Sequence, residues 1–320
     1  MRKTFFFALA SAILMNGFAA SEATRAIDTD FADPCVIETN GGYYAFGTAG
    51  NGKNVQVAAS DDFSTWTRFK YTDAMPGPFP SWIASTPNIW APDVIQLDNG
   101  TFVMYFSAAS SEDSSKHCIG AATSSVVTGP YTPLNSPIAC PIKKGGAIDA
   151  NGFNDGGTYY VVYKIDGNSL NGDGTEHDTP IMLQKLKSDG VTPNGDATVI
   201  LEHGTSDGPL IEAPSLAHAD GNYYLSFSSN MYDTTLYDIS YATADVITGP
   251  YTKAQTPDGP LLVTGDPSNV GDLSGPGGAD FTSDGTRIVF HAFKNGKDIS
   301  DGRAMYVASI YPSGGVITIL

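Results

Sequence analysis

Three acidic residues, Asp33, Asp149 and Glu212, stand at comparable places along this chain. Each precedes by seven or eight residues a turn that opens an aromatic-rich stretch: Asp33 before Gly41, Asp149 before Gly156 and Glu212 before Asp220. The same count reaches Ala91 before Asn99 and Gly277 before Asp284, so three of five equivalent positions carry a carboxylate. Carboxylates brought together repel one another and resist desolvation, so they are kept together to bind a cation or to do acid–base work. Cleavage of a glycosidic bond needs one carboxylic acid to protonate the leaving oxygen and a second carboxylate to activate water or attack carbon. A third acid can hold the donor's pKa up by like-charge repulsion. The longer Glu212 is the natural donor, Asp33 beside Pro34 the natural base, and Asp149 the modulator. Taken singly, each acid could instead cap a strand or a turn; agreement between three repeats weighs against that.

The elements that must position these acids are a repeated hairpin. Gly41 to Phe46, Asn99 to Phe106, Gly156 to Tyr163, Asp220 to Phe227 and Asp284 to His291 each run from a turn into a strand of alternating aromatic and aliphatic residues. Their mean spacing is about 61 residues, enough for four strands with generous loops. A second strand pattern follows each hairpin, at residues 55–60, 118–124, 181–186, 239–244 and 305–310. A fourth short element follows at 66–68, at the near-identical 126–132 and 246–252, at 198–201 and at 316–320. Apolar residues alternate with period two, and 35 Gly and 20 Pro punctuate the chain, which excludes a helical reading. The pattern predicts an all-β fold, a five-bladed β-propeller with four antiparallel strands per blade, whose innermost strands carry the three acids to a common axis.

Residues 1–23 show a basic pair, Arg2-Lys3, ahead of an apolar run ending in small residues. That is the layout of a secretory leader cleaved near 19–23, and the run is short for a membrane anchor. A secreted, extracellular protein is expected, with residues 24–320 forming one propeller domain and acting as a monomer. Of three cysteines, Cys118 and Cys140 are the expected bridge and Cys35 a buried thiol. The net charge of −17 excludes nucleic acid as a partner and disfavours strongly anionic polysaccharides. Low charge and 11% aromatic residues suit a neutral ligand met by rings. Asn99-Gly100-Thr101 is a glycosylation sequon on a hairpin turn. Residues 166–178 read as a long loop near the active face.

Asp33-Pro34 before the first hairpin, Trp90-Ala91-Pro92-Asp93-Val94 before the second, Ile148-Asp149 before the third and Glu212-Ala213-Pro214-Ser215 before the fourth together resemble glycoside hydrolase family 43. The resemblance spans the whole mature chain. It implies an inverting enzyme with Asp33 as general base, Glu212 as general acid and Asp149 as pKa modulator, acting on α-L-arabinofuranosyl linkages of neutral plant polysaccharide, arabinan or arabinoxylan. A β-D-xylosidase on xylo-oligosaccharides is the alternative within the family. The fifth blade reads Gly275-Pro276-Gly277-Gly278-Ala279-Asp280 in place of the Gly-His-Asn-Ser of endo-arabinanases, so exo and endo action both stay open. Trp90 is expected in the sugar platform or packed between blades, and Asp93 in structural hydrogen bonding. The resemblance requires no cofactor for the chemistry; it offers His291 either as a calcium ligand in the central channel or as a hydrogen-bonded core residue. Other classes weighed are a retaining fructan hydrolase, whose Asn-Asp-Pro-Asn run is absent, and a non-catalytic carbohydrate-binding propeller, which needs no acids.

Overall fold

The computed structural model describes residues 23–320. The leader expected over 1–23 lies, apart from Ala23, outside the described residues. The chain forms five antiparallel sheets, each built outward from an inner strand. Blade one runs Cys35–Thr39, Gly42–Gly47, Gln56–Ser60 and Thr67–Arg68; blade two runs Trp90–Gln96, Phe102–Ala109, His117–Ser124 and Thr132–Pro133. Blade three comprises Ala147–Asp155, Thr158–Ile165, Ile181–Lys185 and Thr198–Leu201, and blade four Ile211–Ala219, Asn222–Ser229, Asp238–Ala244 and Thr252–Lys253. The five-bladed propeller with four antiparallel strands per blade is thus the fold of this chain.

Blade five departs from the simple count. Its strands Gly277–Phe281, Arg287–Phe293 and Arg303–Ser313 are completed by two partners of the long third strand. Thr24–Ile27 pairs with its first half, Thr24 facing Val307 and Ile27 facing Met305. Val316–Ile319 pairs with its second half, Ile310 facing Ile319. The expectation that residues 316–320 supply the fourth element is therefore met only for the outer end of the blade. The N-terminal strand closes the circle at the other end.

Three inner hairpins turn on two residues with positive φ, Asn40-Gly41, Gly156-Gly157 and Asp220-Gly221. This is the arrangement whose twist matches that of the flanking strands. The apolar faces of the blades pack as five wedges, one between each neighbouring pair. Phe46, Val57, Val94 and Phe106 fill the first, Tyr105, Val161 and Tyr163 the second, and Leu183, Leu216 and Phe227 the third. Tyr241, Phe281 and Phe290 fill the fourth, and Phe31, Val36, Val289 and Met305 the seam between blades five and one. Cys118 and Cys140 are disulfide-bonded and Cys35 is a free buried thiol.

Polar groups hold the inner strands in register around the axis. Asp93 Oδ2 accepts from the Gly152 N–H (2.7 Å), Asn151 Oδ1 from Leu216 (3.0 Å), Ser215 Oγ from Phe281 (3.1 Å) and Asp280 Oδ2 from Val36 (2.8 Å). The Cys35 thiol, beside the backbone of Val94, holds the fifth place in the ring. The five side chains occupy one position per blade, and each meets the residue after the equivalent position in the next blade. Asp93 therefore has the structural role expected of it.

Candidate active site

Two residues before each of these ring positions lies a residue with positive φ: Asp33 (49°), Ala91 (41°), Asp149 (60°), Ala213 (51°) and Gly278 (56°). Left-handed backbone is costly for residues other than glycine and persists where the surroundings enforce it. Here a side chain from the preceding blade caps the kinked N–H in four cases. Thr48 Oγ1 accepts from Ala91 (2.9 Å), Ser107 Oγ from Asp149 (3.0 Å), Ser228 Oγ from Gly278 (3.0 Å) and His291 Nδ1 from Asp33 (3.1 Å). In the remaining interface Asp149 Oδ2 itself caps Ala213 (3.0 Å). This frees Lys164, which stands opposite Ile148 as Ser107 stands opposite Trp90, for other work.

The kinks correct one part of the repeat reading. Asp33 and Asp149 are equivalent, but the fourth and fifth positions belong to Ala213 and Gly278, and Glu212 sits one residue earlier, level with Trp90 and Ile148. Counting was offset because Gly41 is the second turn residue of its hairpin, whereas Gly156 and Asp220 are the first. Glu212 nevertheless reaches the same space. Asp33, Asp149, Glu212 and Trp90 all line one cavity of about 370 Å³ at the mouth of the axis, together with His117, Asp166, Asn168, Tyr237 and Arg303.

The acids differ sharply in environment. Burial pushes Asp33 upward, but the Arg303 guanidinium, His291 and the Thr48 hydroxyl outweigh it and hold the carboxyl well below the usual range. Arg303 Nη1 lies 2.9 Å from Asp33 Oδ1, and the Thr48 hydroxyl donates to Oδ2 at 2.6 Å. Asp149 moves the other way: burial and the adjacent charges of Glu212 and Asp33 raise it well above the ordinary value, with Lys164 opposing. Glu212 is held at both oxygens, by Lys164 Nζ at 2.8 Å and by the Tyr237 hydroxyl at 2.9 Å. Lys164 is fully buried and also pairs with Asp166 at 3.2 Å. One ammonium is therefore shared among carboxylates at one side of the pocket, while a guanidinium serves Asp33 at the other.

His291 lies behind Asp33, fully buried, and desolvation together with Arg303 lowers its pKa, so it is a neutral imidazole. Its Nε2 makes no hydrogen bond. That nitrogen can bind a cation only in the tautomer with the proton on Nδ1, which would then donate to Asp33 Oδ1 at 3.3 Å in place of accepting the Asp33 N–H. Among the described residues no group of three His, Cys, Asp or Glu side chains converges to hold a metal, so the protein would supply that single nitrogen. Trp90 is 38% exposed and stacks on His117, with ring centroids 3.6 Å apart. It is a wall of the cavity rather than a wedge between blades. The loop after Ile165 reaches the same cavity through Asp166, Asn168 and Ser169, as its composition suggested. Lys164, Tyr237, Arg303 and His117 were not anticipated. Lys164 and His291 depart from the Thr or Ser found at their position in the other three blades, and strand pairing is what reveals that departure.

The arrangement, one carboxylate kept ionised and a second kept inclined to hold a proton beside a third, suits acid–base cleavage of a glycosidic bond. Comparison with known proteins agrees. The chain is 30% identical over 302 residues to the extracellular endo-α-(1→5)-L-arabinanase 1 of Bacillus subtilis, covering 89% of this chain and 88% of that protein. Its fold superposes on that of a thermostable family-43 glycoside hydrolase with a TM-score of 0.76 at 24% identity, covering 91% of this chain and 92% of that one. An endo-1,4-β-xylanase from Bacteroides thetaiotaomicron aligns with a TM-score of 0.72 at 28% identity, over 94% and 97% of the two chains. The model of glycosyl hydrolases family 43 matches residues 26–311. Fold, pocket and sequence meet in one assignment: the chain belongs to glycosyl hydrolases family 43 and is a glycosidase that hydrolyses O-glycosyl bonds.

Proposed function

We propose that this enzyme hydrolyses α-L-arabinofuranosyl linkages of arabinan with inversion, Asp33 acting as general base, Glu212 as general acid and Asp149 as the modulator of the acid. The observation that carries this reading is the opposed electrostatics of the pocket, with Asp33 held anionic by Arg303 and Asp149 pushed toward its protonated form. Asp33 takes a proton from the water that attacks the anomeric carbon, and Glu212 gives one to the departing oxygen. Trp90 offers its exposed face to a sugar ring. The arabinanase relative supports the substrate, and its description as extracellular supports secretion. His291 Nε2 is the residue that would hold a structural calcium, whose charge would add to that of Arg303 near Asp33.

A second reading, a xylan-active enzyme, is favoured by the likeness to the Bacteroides xylanase. Product analysis separates the two. Linear arabinan, arabinoxylan and xylo-oligosaccharides are incubated with the enzyme and sampled early. Arabino-oligosaccharides ahead of arabinose indicate endo action on arabinan, arabinose alone indicates exo action, and xylose or xylobiose in their place overturns the arabinan reading. NMR of the first product formed reads the anomer, and retained configuration removes Asp33 from the role of base.

A further inference from the structure

His117 and Asn168 are left over once the acid–base machinery is assigned. His117 opens the third strand of blade two and Asn168 lies in the Gly167–Asp173 3-10 segment after the second strand of blade three. Both line the cavity that holds Asp33, Asp149 and Glu212. His117 is only 3% exposed, and its Nε2 makes no hydrogen bond; the buried Oδ1 of Asn168 makes none either. A buried acceptor without a donor is costly to keep, so two in one cavity call for a ligand that brings donors.

The tautomer of His117 follows from its surroundings: the Asn88 backbone favours a ring N–H on its side, and Nε2 has no partner, which sets the proton on Nδ1 and leaves Nε2 as the acceptor. Burial pushes its pKa down to about 4, so the ring is a neutral acceptor throughout the near-neutral range. Its position is also fixed. Trp90 stacks on one face at 22° between planes, the Cys118–Cys140 disulfide pins the next residue, and Lys116 Nζ ties the preceding one to the Ser169 carbonyl at 2.6 Å. Ser169 follows Asn168 directly, so the same contact couples both acceptors across the gap between blades two and three.

We propose that His117 Nε2 and Asn168 Oδ1 form a sugar-hydroxyl subsite, accepting hydrogen bonds from hydroxyls of the pentose unit that lies on Trp90. This rests on the glycosidase pocket described above and adds the groups that select its sugar. An apolar platform alone tolerates any flat sugar face, whereas acceptors built to meet a hydroxyl penalise a substrate that lacks it, because they stay buried and unpaired.

The test uses the wild type, His117→Phe, which keeps a ring under Trp90 without an acceptor, and Asn168→Ala. Each is assayed on an aryl pentoside and on its monodeoxy analogues, with folding checked by circular dichroism. The wild type should prefer the parent over at least one deoxy analogue by roughly 10- to 100-fold in kcat/KM, the scale of one buried hydrogen bond left unmade. His117→Phe or Asn168→Ala should lose most of that preference, chiefly through KM, with the pH profile of kcat unchanged. Unaltered discrimination among all analogues in both variants overturns the subsite. If the wild type cleaves no pentoside, the functional reading fails separately, and calorimetric titration with arabinose and xylose decides the subsite: weaker binding in the variants supports it, and equal binding overturns it. Should His117→Phe not fold, Asn168→Ala carries both arms.

Discussion

Both oxygens of Glu212 are engaged in the resting pocket, by Lys164 and by Tyr237, so it must exchange one of these bonds to reach a glycosidic oxygen. A leaving group that needs no proton should therefore expose its role. Glu212→Ala is expected to slow cleavage of natural oligosaccharides by about 10²–10⁴ while sparing an aryl glycoside of an acidic phenol. Asp33→Ala should depress both, since neither substrate can do without activated water. Equal losses on both substrates in the folded Glu212→Ala variant would remove Glu212 as the donor. Asp33 allows a second measurement, of pH. The Arg303 guanidinium favours the charged carboxylate, so its removal in Arg303→Met lets Asp33 take up a proton at higher pH. The acidic limb of kcat/KM should then move upward, with the alkaline limb in place. The same depression contributes to folding stability, present above the unfolded Asp value of about 4 and lost as pH falls toward the folded one. Arg303→Met should lose more stability at pH 6 than at pH 3, read as Tm.

At the scale of strands, the repeat of the inner hairpin was legible because its turn residues and its period-two aromatics recur in plain order. The three acids were legible with it, since equivalent places in five blades must face one axis. What the sequence did not display was the kink. Its left-handed residues are Asp, Ala and Gly without a shared side chain, and the capping groups Thr48, Ser107, Ser228 and His291 come from the neighbouring blade. Counting from the turns alone therefore sets Glu212 level with Asp33 and passes over Lys164. The axial ring below the kinks is equally hidden, built from Cys, Asp, Asn, Ser and Asp. Asp280 is its busiest member, accepting from Val36 N–H, from Asn151 Nδ2 at 2.9 Å and from the Ser215 hydroxyl at 2.7 Å. Asp280→Ala strands these buried donors and should cost at least about 1–3 kcal/mol. Burial pushes Asp280 up to about 6, so its contribution is complete below the unfolded Asp value and declines as pH rises through about 6. The deficit in Tm should consequently be larger at pH 5 than at pH 7.5; a deficit that grows with pH would contradict this account.

For the molecule as a whole, the circle closes beside the chemistry. Thr24–Ile27 pairs with the half of Arg303–Ser313 that begins at Arg303, and the Phe31 N–H donates to the Arg303 carbonyl at 2.8 Å. Asp33 follows two residues later on blade one, while its partners Arg303 and His291 belong to blade five. The proposed base is thus assembled across the seam between the first and last blades, and its charge state depends on how firmly that seam is shut. Ile27 is buried in the seam with Phe31 and Met305; Leu183 is buried in the wedge between blades three and four. Truncating either to alanine should cost about 2–5 kcal/mol, and both variants should melt several degrees below the wild type. Their enzymology should differ. Ile27→Ala loosens the contact between Arg303 and Asp33, so its acidic limb should shift upward in the direction expected for Arg303→Met, and amides of residues 24–33 should exchange faster. Leu183→Ala should leave the acidic limb where the wild type has it, because Glu212 and Lys164 lie across that wedge while Asp33 does not. Identical pH profiles in the two variants would mean that closure of the propeller serves stability alone and that Asp33 is set by its own blade.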